Sequence, residues 1–283
     1  MRAADTSSPV ARLAGIAILA LALALGTSAA CGSSTSGSGG GDPIDPSSTF
    51  SVPPGGQRTG SVPATAPSGT TFTYQAAPGS DGGVDFAAYD ESMNLALGAI
   101  NEYWHATMPA EFDLRWIPPT EFIAYYPPQD PGPSCAGQAA VPENAVYCGA
   151  DDFIAWDEPN FMLPYYEEMG DMATAVILAH EFGHGVQDRL GLNQEFDLTI
   201  EAELQAVCFA GAWAGWADQQ GLLGREAVDQ AINAVVSLAD APGVAFTDPD
   251  AHGTADERLD AFAFGADNGA TACTQDLAPG FTG

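Results

Sequence analysis

The chain has 283 residues but no lysine, only seven arginines and only four histidines, set against 37 acidic side chains. A formal charge of −30 at pH 7 repels polyanions and so excludes nucleic acid and anionic lipid surfaces as partners. Acidity of this kind serves solubility, and its sign says nothing about substrate. Near the N-terminus the apolar stretch from Leu13 to Leu25 is too short to cross a bilayer as a stable helix. Arg2 and Arg12 precede its core and Gly26-Thr27-Ser28-Ala29-Ala30 follows it, so residues 1–30 read as a secretory signal peptide. Its removal takes away two cations and Asp5, leaving the mature chain one unit more negative.

Large apolar side chains are scarce from residue 31 to 83, where Ser, Gly, Thr and Pro dominate. Such a segment cannot bury enough surface to offset its ordering entropy, and it reads as a disordered tether. Cys31, directly after Ala30, resembles the cysteine of a bacterial lipoprotein signal, which becomes the lipid-bearing N-terminus. That resemblance implies a protein held by lipid at the outer face of the membrane. The family pattern favours Leu where this chain has Ser28, so a soluble secreted form is the alternative. Residues 84–283 remain for one domain with a real core.

Cysteine is the next scarcity. With Cys31 lipidated, Cys135, Cys148, Cys208 and Cys273 form an even set in an exported protein, the usual sign of disulfides. Three pairings are possible. The short Gly-, Pro- and Ala-rich loop from Cys135 to Cys148 favours that pair, which leaves Cys208 with Cys273. No two cysteines are spaced as a zinc knuckle would require.

What the chain does have is the pentad His180-Glu181-Phe182-Gly183-His184. Histidines four residues apart on a helix stack on one side, one turn above the other. That suits a tetrahedral Zn²⁺, and the glutamate between them is placed to take a proton from water that the ion activates. Met172 to Ala179 runs into the pentad without Pro or Gly. Asp171 is a candidate N-cap and Gly191 a candidate stop, with Arg189 in the last turn. The apolar approach predicts a buried helix with the site cut into the core. Two imidazoles and a carboxylate there would be costly without a shared partner.

Elsewhere, Phe86, Tyr89, Met93, Leu97, Ile100 and Trp104 have helical spacing and predict an amphipathic helix over 85–105, with His105 a surface residue at its end. Alternation in Phe112-Asp113-Leu114-Arg115-Trp116 predicts a half-buried strand, and 122–126, 145–148 and 153–157 predict three more. Further helices are expected over 200–219, 225–238 and 256–264. A few strands followed by several helices, without regular alternation, argue for an α+β fold.

A catalytic zinc keeps three protein ligands and one open position. A third histidine six residues after His184 is excluded, because Leu190 stands there and Gln187 occupies the place of a needed glycine. The other common arrangement takes a glutamate from a following helix, and 201–211 is such a helix. Here the chain resembles the bacterial putative neutral zinc metallopeptidase family. That family joins a His-Glu-x-Gly-His helix to a Glu-Leu-Gln-Ala-Asp-Cys-Phe-Ala-Gly helix, then a His-Gly segment followed by Arg and Phe. This sequence has 180–184, then Glu203-Leu204-Gln205-Ala206-Val207-Cys208-Phe209-Ala210-Gly211, then His252-Gly253 with Arg258 and Phe262. The resemblance implies a zincin-like fold, zinc ligands His180, His184 and Glu203, and Glu181 as general base. It implies hydrolysis of a protein or peptide substrate, and it agrees with the disulfide pairs above.

Val207 departs from the family, which has Asp there. In glutamate-liganded zinc proteases such an aspartate orients a metal-bound histidine, and losing a partner of that kind costs about 10–100-fold in affinity or activity. Glu201 is the nearest carboxylate in sequence but faces elsewhere on the helix, as a surface charge. His252 is the remaining candidate for steadying the oxyanion, since Gly253 permits a turn that could present it. The alternative function is a catalytically weakened zinc-binding lipoprotein that acts as a scaffold or partner-binding module.

Overall fold

A computed structural model of the chain describes residues 58–60, 84–275 and 278–282. The signal segment, Cys31 and most of the stretch read as a tether lie outside the described residues. Arg58–Gly60 (β1) is the exception. Expected to be unstructured, it pairs antiparallel with the edge of the main sheet.

Helix α1 (Phe86–Glu111) opens on Asp85, whose carboxylate accepts from the amides of Ala87 and Ala88. It buries Tyr89, Met93, Leu97, Ile100 and Trp104, as the spacing predicts, and leaves His105 exposed. The helix runs six residues past its expected end, and this removes the strand expected over 112–116. Phe112 caps α1 through an amide bond to Met108 O, Leu114 N returns to the same carbonyl, and Asp113 takes φ 55°. Trp116 is buried because its Nε1 donates to Asn101 Oδ1 of α1, at 2.8 Å, and not because it belongs to a pleated row.

Three further short strands join β1 in the sheet beside the helices: β2 (Glu121–Tyr125), β5 (Ala145–Cys148) and β6 (Phe153–Asp157), with a small hairpin of β3 (Ser134–Cys135) and β4 (Gln138–Ala139) inserted between β2 and β5 in the chain. Sheet order is β1-β2-β6-β5, with β2 and β6 parallel and β5 antiparallel to β6. Among the described residues β5 is therefore an edge, and α3 packs against it. β6 is buried along its whole length, which fits its continuous apolar run. Disulfides join Cys135 to Cys148 and Cys208 to Cys273, as expected.

The remaining elements are α2 (Leu163–Met169), α3 (Asp171–Leu190), α4 (Thr199–Gln219), α5 (Arg225–Ser237), α6 (Ala255–Asn268) and α7 (Ala270–Gln275). The fold is α+β. Gly191 closes α3 in the left-handed region, at φ 71°. Gly170 holds the N-cap position expected of Asp171, which instead accepts the Met172 amide from inside the first turn. Two close crossings fix the bundle. A Cβ on Gly183 of α3 would stand 2.9 Å from the Ala206 carbonyl of α4, and one on Gly265 of α6 would stand 1.9 Å from the Cys208 carbonyl. Among the described residues no helix is long and apolar enough to cross a membrane.

Candidate metal centre

α3 contributes His180 and His184, one turn apart, and α4 lays Glu203 across them where Gly183 lets the two helices approach. Four candidate ligand atoms lie close together: the two imidazole Nε2 atoms and both carboxylate oxygens of Glu203, one facing each imidazole. The two Nε2 atoms are 3.2 Å apart, His180 Nε2 is 3.2 Å from Glu203 Oε2, and His184 Nε2 is 3.4 Å from Glu203 Oε1. A tetrahedral ion with bonds of about 2.0–2.1 Å needs ligand atoms about 3.3–3.4 Å apart, so the donor set fits zinc. His180 and Glu203 are buried, at 3 and 2 % side-chain exposure, whereas His184 keeps 12 %.

Burial and the neighbouring carboxylates push the two imidazoles in opposite directions. Burial pushes the His180 imidazole down to about 4, against the pull of Glu203. Burial also works against charge on His184, but the Glu203 and Glu181 carboxylates raise it to about 9. Glu203 is held well below the usual carboxylate range despite its burial, chiefly by His184.

Each imidazole needs its other nitrogen satisfied if Nε2 is to face an ion. For His184, Gln187 does this. Gln187 Nε2 donates to Ala202 O at 2.7 Å, which turns Oε1 toward His184 Nδ1 at 2.9 Å. In the sequence Gln187 bears only on the excluded ligand class, although its place three residues after His184 puts it on the same helical face. His180 has no such support: its Nδ1 is buried without a hydrogen-bond partner. Val207, one turn beyond Glu203, is an apolar buried residue where the family has its carboxylate. Glu201 does not substitute for it, because it reaches back to the amides of Asp197 and Leu198 at the start of α4.

Glu181, 1 % exposed, accepts a 2.7 Å hydrogen bond from the Tyr147 amide of β5. His252 is buried, and its backbone amide and that of Gly253 both donate to Asp240 Oδ2 at 2.8 Å, with its Nδ1 3.5 Å from Asp240 Oδ1. Gly253, at φ 96°, lies against Leu204, the neighbour of Glu203. Arg258, also buried, donates to His252 O and Val235 O and so ties this loop to α5. Neither Asp240 nor the Tyr147 amide carries a sequence signal. Among the described residues the one other metal-like cluster is Cys135, Cys148 and Asp151, and its cysteines are spent in a disulfide.

"Uncharacterized protein YpfJ" of Escherichia coli K12 is 32 % identical over 160 residues, covering 47 % of this chain and 53 % of that protein. "Uncharacterized protein Rv2575" of Mycobacterium tuberculosis is 31 % identical over 97 residues, covering 30 % of this chain and 33 % of that protein. The chain thus spans about half or less of the length of these curated relatives. No solved structure matches it significantly. The family model described as "putative neutral zinc metallopeptidase" matches residues 129–276, a span that contains both ligand helices and His252. The chain belongs to that family.

Proposed function

We propose that this chain is a zinc-dependent peptidase that works outside the cytoplasm, with His180, His184 and Glu203 holding the ion and Glu181 as general base. One observation carries the reading: two imidazole Nε2 atoms 3.2 Å apart, each 3.2 to 3.4 Å from an oxygen of the Glu203 carboxylate, with a second carboxylate on the helix residue between the two imidazoles. When bound, zinc supplies Lewis-acid polarisation of the scissile carbonyl and lowers the pKa of water toward about 7. Glu181 takes the proton of the attacking water and passes it to the leaving amine. Its Oε2 accepts from the Tyr147 amide, which holds the carboxylate in place. His252, braced by Asp240 and Arg258, steadies the developing oxyanion. β5 is a sheet edge beside Glu181, and an extended peptide adds to such an edge through main-chain hydrogen bonds.

The signal peptide over 1–30 and lipidation at Cys31 complete the reading, with the domain tethered at the outer face of the membrane. The rival, a weakened zinc-binding module, has the unpartnered Nδ1 of His180 in its favour. Glu181→Gln separates them. Hydrolysis of casein or a quenched peptide library should fall by about two orders of magnitude or more at unchanged zinc content. Equal turnover in the two proteins rules out the mechanism, and no turnover in the parent favours the rival.

A further inference from the structure

Arg189 stands in the last turn of α3, where a cation would ordinarily serve the helix dipole from the surface. It does something else. Its Nε donates to Ile117 O at 2.8 Å, its Nη2 to Asp152 Oδ1 at 2.5 Å, and its Nη1 to the Tyr147 phenol, with Asp188 Oδ2 3.6 Å away. The guanidinium also lies over the Trp116 and Tyr147 rings, at 5.8 and 5.5 Å. Tyr147 is held at both ends. Its hydroxyl meets Arg189, Asp152 (3.0 Å) and Asp188 (3.2 Å), while its amide is the donor that fixes Glu181. Between the two ends the ring rests on Gly185, where an added Cβ would lie 3.6 Å away.

β5 is an edge strand, with β6 as its only ladder partner among the described residues. Edge backbone is the part of a sheet most free to shift, and a general base displaced by about 1 Å can cost 100-fold in rate. We propose that Arg189 is a positioning residue: by gripping the Tyr147 phenol and Asp152 it sets β5 against α3 at the height where the Tyr147 amide orients Glu181. An arginine is needed because one planar fork serves three acceptors in different directions, which a lysine cannot do. The kinetic consequence rests on the peptidase reading. The structural consequence does not.

Tyr147→Phe removes only the gripped hydroxyl, and Arg189→Lys keeps the charge but loses the fork. Hydrogen exchange at the amide of residue 147, read by NMR on the whole protein loaded with zinc and again stripped of it, reports the clamp directly. The expected result in both variants is exchange faster by about tenfold or more, with the core amides of Leu178 and Phe209 unchanged. In the loaded enzyme kcat falls by about ten- to a hundredfold while KM and zinc stoichiometry hold. Unchanged exchange at residue 147 overturns the proposal. Acceleration shared equally by Leu178 and Phe209 also overturns it, because that would be general loosening. So does faster exchange with kcat intact. If the parent enzyme hydrolyses no peptide, the peptidase reading falls, and the exchange measurements still decide the clamp.

Discussion

His180 and His184 are the same residue type on one helix, yet their surroundings differ in a way that would matter for any ion they hold. His184 is oriented by Gln187, itself locked by a backbone carbonyl, whereas the Nδ1 of His180 points at no acceptor. An imidazole whose far nitrogen is unsatisfied in the interior is a poorer ligand and leaves a buried polar group uncompensated. Val207→Asp should therefore raise zinc affinity by about tenfold or more, measured by competition with a chromogenic chelator. Affinity that falls or stays level would mean that the position does not serve His180. Gln187 was not foreseen as a support because its role depends on Ala202, fifteen residues further along the chain.

At the scale of elements, α6 places the His252 loop, because its N-cap is Thr254 and the loop lies immediately before it. Thr254 and Glu257 form a capping box. The threonine oxygen accepts the Glu257 amide, and the Glu257 carboxylate accepts the Thr254 amide and hydroxyl at 2.9 and 2.8 Å, with the Thr282 hydroxyl at 3.1 Å. Thr254→Ala should cost about 1 kcal/mol in urea unfolding. Desolvation works to raise the Glu257 carboxyl, but the donors on Thr254 and Thr282 hold it below its ordinary value of 4.5. Its folded value is the lower one, so this stabilisation is present in full above pH 4.5 and is lost as pH falls through the folded value. Glu257→Gln should flatten that acid limb of the unfolding midpoint, and an unaltered limb would assign it to other carboxylates. A capping box is a four-residue signal, and Thr-x-x-Glu is written at 254–257. The expectation over 112–116 failed for the opposite reason: its alternation was local, but the continuation of α1 and the Trp116–Asn101 bond decided the backbone there.

For the whole molecule the two disulfides act over different lengths of chain. Cys208–Cys273 ties α4, which carries Glu203, to α7 across 65 residues, whereas Cys135–Cys148 closes 13. By the loop-entropy argument the longer bridge stabilises by about 4 kcal/mol and the shorter by about 3 kcal/mol. The paired change of Cys208 and Cys273 to Ala should thus lower the unfolding free energy more than the same change at Cys135 and Cys148. Urea titration of both double variants with zinc loaded checks the order. The reverse order would mean that native-state packing outweighs the constraint on the unfolded chain.

The sequence by itself determined the α+β class, the placing of two histidines on one helical face, the strands at 122–126, 145–148 and 153–157 to within a residue, and the family. Each of these is written in short-range periodicity or in a contiguous motif, and helix and strand geometry convert both directly into direction. Only the tertiary structure decided that β2 and β6 run parallel, that Gln187 serves His184 while His180 goes unserved, and that Arg189 reaches Glu181 through Tyr147. Those outcomes depend on how close separate elements approach, and that distance is set by packing, at places such as Gly183 against Ala206, which no local pattern encodes.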